Sequence, residues 1–446
     1  MLFAQLLNAD LGCASYLVGC ETAREAVVVD PHLAIEPILE EAERLGARIV
    51  RTLETHTHAD HVSGHGRLAL EHEIPVSIHA SAEAEYPHHP LSDGEEITVG
   101  TVTIRVVHTP GHRPEHCCFA VVDTTRADEP WLVLTGDSLF VGDTARPDLA
   151  VGAVEGAEGL FHSLRRLLEL PDGVEVFPGH VAGSLCGKSM SSRGSTTIGF
   201  ERRFNPMLSI VGLDAFVAEA SSAPTAKPPN LARIVELNRG PFVGAPEPVP
   251  ELPAPPEGSQ LLDVRPVADH LAGHRPGAIS VPVSGRRFST KAGFVLDPAR
   301  PVTVLAADAA EAERAIAGLR SIAVENVDGY VLGGGDEVTS GVTLDELEEL
   351  VEQGGAVVVD VREKDERDVG YIPGSRNIPY RLMRLCCPDL PEDRPIVTIC
   401  GSGPRAAIAA SMLRAKGLDA RPVVGGGMND WLARGETAVS FRRCGS

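Results

Sequence analysis

The chain has 446 residues, 43% hydrophobic and 23% charged, and carries a formal net charge of -22. That length exceeds one ordinary hydrophobic core and calls for several domains. The acidic balance argues against nucleic acid and anionic membrane as partners, because phosphate binding needs a basic face. No run approaches the ~18 apolar residues of a membrane helix.

The first ten residues, MLFAQLLNAD, have no basic segment ahead of their apolar positions, which argues against a secretory leader. Nine cysteines without a CxxC pair, in a chain this long, read as reduced thiols and point to the cytoplasm. From residue 1 to about 240, short apolar segments alternate with helical stretches. AVVVD (26–30), RIVRTLE (48–54), VTIRVVH (102–108), WLVLTG (131–136) and VEVFPG (174–179) are expected to be buried strands, being short, branched and bounded by turn residues. The proline-dense stretch from residue 244 then reads as an extended linker outside any core.

Beyond it the chain repeats itself. Asp263, Arg265, Pro276, Gly277 and Pro282 recur 97 positions later as Asp360, Arg362, Pro373, Gly374 and Pro379. PVTVLA (301–306) returns as PIVTIC (395–400), and VLGGG (331–335) as VVGGG (423–427). Each copy is expected to run strand, loop, strand, loop, helix, strand, giving a parallel sheet covered by helices.

Chemistry concentrates in two places. The first is ETHTHADH (54–61), joined by His112 in HTPGHRPEH, Asp137 in LTGDSLF and His180 in FPGH. Each follows an expected strand, so strand ends would gather them at one sheet edge. His56, His58, Asp60, His61, His112, Asp137 and His180 form a mixed histidine and carboxylate set, the usual composition of a metal site. Isolated histidines such as His72, His88 and His162 read as ordinary surface or core residues. The second is CGSGPR (400–405), between a strand and a helix. Backbone N–H groups at that helix start, with Arg405, would stabilise a thiolate or bound anion at Cys400, and Gly401 and Gly403 let the backbone curl around the sulfur.

HxHxDH followed by His, Asp and His resembles the metallo-β-lactamase superfamily, which implies an αβ/βα sandwich with the site at one edge. In its hydrolase members, such as glyoxalase II, two metals share these ligands. His56, His58 and His112 would hold one, Asp60, His61 and His180 the other, with Asp137 bridging. TGDSLFVGDTARPDL (135–149), GSLCGK (183–188) and STTIGFERRFNP (195–206) instead resemble the persulfide dioxygenases of that superfamily, particularly those fused to rhodanese domains. That resemblance implies one Fe(II) per chain on His56, His112 and Asp137, with Asp60, His61 and His180 supporting it and His58 differing between the two families. The alternative metal is zinc. Cys186 is a candidate to bind or relay sulfur. Arg146 and Lys188 are candidates to meet an anionic thiol carrier, the alternative being surface solvation.

The cysteine loop has four residues between Cys400 and Arg405, one fewer than the phosphatase CX₅R pattern. With VVDVRE, YIPGSRNIP and GGGMNDW it resembles rhodanese, so Cys400 and Arg405 would be catalytic, and Gly401, Ser402 and Gly403 would line the sulfur site. In the first copy Ala306 replaces the cysteine. The resulting α/β organisation is a metallo-β-lactamase-like domain (1–243), a linker (244–257), an inactive rhodanese-like domain (258–340) that packs against or positions the active copy, and an active rhodanese domain (341–446). Cys386 and Cys387 read as structural.

The implied activity is oxidation of a low-molecular-weight persulfide, such as glutathione persulfide, by O₂ to sulfite and thiol. Sulfane-sulfur transfer through Cys400, with sulfite and thiosulfate as partners, would accompany it, a place in hydrogen sulfide metabolism. The alternatives are a di-zinc thioester hydrolase joined to a sulfurtransferase, and a persulfide carrier or sensor. The family often forms dimers or tetramers, which leaves a homo-oligomer open.

Overall fold

A computed structural model describes residues 1–181, 186–187, 190–222, 226–385, 390–391, 393–435 and 438–440. Lys188, Cys386, Cys387 and Cys444 lie outside the described residues. Two compact units form, one comprising Met1–Pro246 and Arg320–Ala323, the other Glu247–Leu319 and Val324–Ser446.

The first unit contains two six-stranded sheets. One runs in the order Leu2–Leu7, Ala14–Cys20, Glu25–Val29, Arg48–Leu53, Val76–His79, His89–Leu91. The other runs Thr196–Thr197, Glu175–Pro178, Leu132–Gly136, Cys117–Asp123, Val102–His108, Glu96–Val99. Period-2 alternation shares out each strand between two cores. Tyr16, Val18, Val27 and Val29 join Ile104, Val106, Phe119 and Leu134 in one cluster. Leu17 and Val28 point the other way and pack with Ile35, Ile38 and Leu68 beside helices Glu36–Arg44 and His65–His72. On the second sheet Cys118, Val133 and Val176 pack with Leu160, Leu164 and Phe216 of helices Ala153–Leu167 and Leu213–Ala220. Helices therefore cover the outer face of each sheet, which explains why segments such as AVVV are apolar on both sides.

All five strands expected in this region occur at the expected places. Strands 96–99, 102–108 and 117–123, however, form an antiparallel run with no intervening helix.

The second unit contains two four-stranded parallel sheets with one strand order. The first is Ile279–Ser280, Gln260–Asp263, Val302–Ala306, Val327–Leu332; the second is Arg376–Asn377, Val357–Asp360, Ile396–Ile399, Ala420–Pro422. The sequence repeat is thus a structural repeat. Segments expected as loops contain short helices, Val267–Ala272 and Phe288–Val295 in one copy and Lys364–Val369 in the other. The last begins in a capping box between Glu363 and Glu366, a local signal in which two carboxylates accept from otherwise unpaired backbone donors.

The proline-rich stretch is extended as expected but not wholly apart from the fold. Leu252 N donates to Tyr330 O at 2.7 Å, Tyr330 N donates to Pro250 O at 3.0 Å, and Leu252 packs on a buried cluster. Proline can lie along a sheet edge because the outer N–H is not needed there. No helix among the described residues is long and apolar enough to cross a membrane.

Candidate metal centre and cysteine loop

The seven metal candidates all sit at strand ends in the first unit, on loops after Arg48–Leu53, Val102–His108, Leu132–Gly136 and Glu175–Pro178. Ligand atoms of His56, His112 and Asp137 lie within 4.8 Å of one another, and all three side chains are buried. A second trio, His58, Asp60 and His61, and a third, Asp60, His180 and Cys186, meet the same distance criterion.

Hydrogen bonds fix which nitrogen each ring offers. The Thr55 hydroxyl donates to Asp30 Oδ2 at 2.7 Å, so at 2.9 Å from His56 Nδ1 it accepts that ring's proton. His56 Nε2 is left with its lone pair. His112 Nδ1 donates to the Arg146 carbonyl at 2.9 Å, which leaves His112 Nε2 free, 3.5 Å from Asp137 Oδ2. Burial first, and neighbouring His58 next, push His56 well below the ordinary imidazole range. Burial also lowers His112, against the opposing charge of Asp137. Neutral rings with one fixed proton are the form in which histidine binds a metal.

Asp137 faces two partners. Its Oδ1 accepts from His180 Nδ1 at 2.7 Å, whereas Oδ2 is buried with no hydrogen-bond partner among the described residues. His180 Nε2 lies 2.8 Å from Asp60 Oδ2 but out of line for a hydrogen bond. Burial opposes charge on His180, yet Asp137 and Asp60 raise it to about 10. An orphaned carboxylate oxygen beside two free imidazole lone pairs fits a cation, since leaving such groups unpaired in a buried site is costly.

His58 is turned differently. Its Nε2 lies 3.1 Å from Glu54 Oε2 and 3.3 Å from Asp30 Oδ1, and those carboxylates raise its pKa against the opposing effect of burial. Among the described residues its Nδ1 has no hydrogen-bond partner, and neither has His61 Nε2. His61 Nδ1 bonds Asp60 at 3.1 Å.

Several supporting residues were not anticipated. Glu54 accepts from Ser63 Oγ at 2.6 Å and bonds His58 and His65. Asn238 donates to the carbonyls of His58 and His61 and accepts from Ser63 N, stapling the HTHADH loop to helix Leu231–Arg239. His116 Nε2 accepts from Asp137 N at 3.0 Å, so it orients the ligand's backbone and has no lone pair for a metal. Gly136, at φ +46°, precedes Asp137; a Cβ there would lie 2.7 Å from Thr55 Oγ1 and 2.8 Å from His116 Nε2. HTPGHRPEH had carried the signal for His116, but nothing local marks Asn238, which is 177 residues from its partner His61.

Cys186 is buried, its Sγ 3.8 Å from Asp60 Oδ2, and it packs with Phe140 and Ala145. Arg146 is buried rather than solvated. Its guanidinium grips Asp148 at 2.7 and 2.8 Å and the Ala226 carbonyl at 2.8 Å, while its own carbonyl holds His112. Cys13, Cys20, Cys117, Cys118, Cys186 and Cys400 are all buried thiols.

In the second unit Cys400 follows strand Ile396–Ile399 and precedes helix Pro404–Arg414. Its Sγ accepts the Gly403 N–H at 3.1 Å. Gly403 has φ +105°, a conformation that side chains avoid and that aims its N–H at the sulfur. Met428 N donates to Cys400 O at 2.8 Å, so GGGM closes over the loop. Arg405 is clasped by Glu366, with both Nη atoms 2.6 Å from its carboxylate. The first copy is built otherwise. Ala306 ends its strand, and Glu311, 94 positions before Arg405, accepts the Ala307 N–H at 2.7 Å. A carboxylate stands where the second copy has a guanidinium.

Comparison with known proteins agrees with this division. The metallo-beta-lactamase superfamily model matches residues 9–180, and the rhodanese-like domain model matches residues 343–434. The human mitochondrial persulfide dioxygenase ETHE1 is 30% identical, over 50% of this chain and 82% of its own length. A probable hydroxyacylglutathione hydrolase of Schizosaccharomyces pombe is also 30% identical, over 44% of this chain and 82% of its own. A metallo-beta-lactamase crystal structure from Staphylococcus aureus superposes with a TM-score of 0.69 at 29% identity, covering 74% of this chain and 99% of its own. The chain belongs to the metallo-beta-lactamase superfamily, related to persulfide dioxygenase over its N-terminal region, and carries a C-terminal rhodanese-like domain.

Proposed function

We propose that the N-terminal unit oxidises a low-molecular-weight persulfide, such as glutathione persulfide, with O₂ and water to thiol and sulfite. One iron would be held by His56, His112 and Asp137. The rhodanese-like domain would move sulfane sulfur through Cys400. The observation that carries the first half is the separation of donors. The two Nε2 lone pairs and Asp137 Oδ2 converge, while His58 Nε2 faces two carboxylates and His180 Nδ1 is bound to Asp137 Oδ1. Iron(II) in a two-histidine, one-carboxylate site supplies, when bound, the redox chemistry by which O₂ oxidises sulfur. The chain's own part is orientation. Asp30 acts through Thr55 on His56, and the Arg146 carbonyl acts on His112, so both lone pairs keep their aim. Cys186, beside Asp60, is assigned to contact the substrate's sulfur; Arg146 contributes its carbonyl, its guanidinium being bound to Asp148.

At Cys400 the thiolate attacks the donor's outer sulfur. A new S–S bond forms, and the donor's S–S bond breaks with its electron pair leaving on thiolate or sulfite. The backbone of Gly401, Ser402 and Gly403 cradles the transferred sulfur, as the Gly403 N–H already does for Sγ. The reading is supported by relatedness to persulfide dioxygenase and by the rhodanese-like match.

A second reading, a di-zinc thioester hydrolase joined to a sulfurtransferase, is favoured by the unpartnered His58 Nδ1 and His61 Nε2 beside Asp60. One experiment separates the two: O₂ uptake by anaerobically purified protein given glutathione persulfide, with metal quantified in the same sample. Uptake that tracks one iron per chain and yields sulfite supports the dioxygenase. Two zincs, with no uptake even after iron loading, would transfer the assignment to hydrolysis.

A further inference from the structure

The Cys400 loop has an acid built into its rim that the transfer chemistry does not by itself call for. Glu366 stands on helix Lys364–Val369 and holds both Nη atoms of Arg405. The guanidinium lies against the loop, since a Cβ on Gly401 would be 3.5 Å from Arg405 Nη2. Neither partner is sealed off: the Arg405 side chain is 24% exposed and that of Glu366 38%. Glu366 is itself fixed, its Oε2 accepting the Glu363 N–H at 3.1 Å, while Glu363 clasps Arg381 at 2.8 Å through both oxygens. The arginine of the Cys400 loop is therefore neutralised by a carboxylate that is itself held in place.

The repeat bears on this. The position matching Glu366 is Asp269, and the position matching Arg405 is Glu311. In the copy without the cysteine both of these positions are acidic, so they cannot pair with each other. The arginine–glutamate pair accompanies the reactive cysteine.

We propose that Glu366 is a specificity-determining positioning residue, which by neutralising Arg405 biases Cys400 toward alkyl persulfides and against thiosulfate. This rests on the sulfur-transfer reading of Cys400. A persulfide brings one negative charge to the loop at its outer sulfur. Thiosulfate brings two, both within reach of the loop, and gains more from an uncompensated guanidinium. The bond changes are the same for both donors. Cys400 thiolate and the donor's outer sulfur form Cys400–S–S⁻, and either RS⁻ or sulfite leaves with the electron pair, without net oxidation.

The test uses the full chain under anaerobic conditions, with gain of one sulfur atom at Cys400 followed by intact-protein mass spectrometry against donor concentration. Glu366→Gln should lower the half-saturating thiosulfate concentration about tenfold relative to that for glutathione persulfide, with the limiting rate changing less. Glu366→Asp, which keeps the charge, should stay near the wild-type ratio. A Glu366→Gln ratio within about twofold of wild type, or an equal shift in Glu366→Asp, overturns the proposal while leaving sulfur transfer standing. A wild-type chain that takes sulfur from neither donor overturns sulfur transfer and the proposal with it.

Discussion

The metal centre and the cysteine loop are assembled in opposite ways. His56, His112, Asp137 and His180 come from four loops spread over 125 sequence positions, and the first three are each steadied by residues that are not donors to the cluster. The cysteine loop is six consecutive residues, and its principal donor to the sulfur, Gly403 N–H, is three residues from Cys400. A dispersed site depends on two sheets keeping their register, whereas a local one depends on a single strand-to-helix turn. The first should be sensitive to substitutions far from any ligand, the second mainly to those within the turn.

The largest expected effect tests whether the two are separable. Asp137→Ala removes the one carboxylate among the three converging donors, and should lower metal content and O₂ uptake about a thousandfold or more. Sulfur gain at Cys400 should persist in the same protein. Cys400→Ser should invert the pattern, with sulfur transfer lost and O₂ uptake on free persulfide retained. Measuring both activities on both variants checks it. If Cys400→Ser also abolished oxygen uptake from free persulfide, the two sites would not be independent.

A smaller effect sharpens the claim of dependence on support. Thr55→Val keeps the volume but breaks the Asp30–Thr55–His56 chain, so His56 loses the acceptor that fixes its proton on Nδ1. Metal affinity should fall about 10- to 100-fold, as for other losses of a ligand's hydrogen-bond partner. Titration with a competing chelator measures this. Affinity equal to wild type would mean that Thr55 does not hold the ring.

This asymmetry also governs what could be read from the sequence. The donor residues were legible because metal-binding types cluster within six positions at His56–His61 and recur after apolar strands. The cysteine loop was legible because its chemistry is contiguous. Asp30, Glu54 and Asn238 were not singled out, because an Asp after a strand or an Asn near a helix end has many ordinary uses. Their roles come from tertiary contacts across up to 180 positions. The short helices within the repeats were missed because runs of about six residues carry too few periods to separate helix from loop. Arg146 was hard to place for another reason: an arginine looks like surface until its ion pair with half-buried Asp148 is known.

The smallest expected effect is none at all, and it concerns the repeat that carries Ala306 in place of the cysteine. Its strand order matches that of the copy with Cys400, so at the level of the sheet the two differ little. The loop geometry says otherwise. Glu311 Oε2 already accepts the Ala307 N–H at 2.7 Å, and Asp308 Oδ1 accepts the Glu311 N–H at 2.8 Å. The position next to Ala306 thus has its own internal anion, where the active copy offers N–H groups to sulfur. A thiolate at residue 306 would face that carboxylate instead of a guanidinium, which disfavours the reactive form. Ala306→Cys in a Cys400→Ser background should therefore gain no sulfur from glutathione persulfide above the Cys400→Ser control, read by intact-protein mass spectrometry. Transfer at more than about a hundredth of the wild-type rate would show that the missing thiol alone had silenced this copy, and that charge in the loop matters less than the comparison of Glu311 with Arg405 implies.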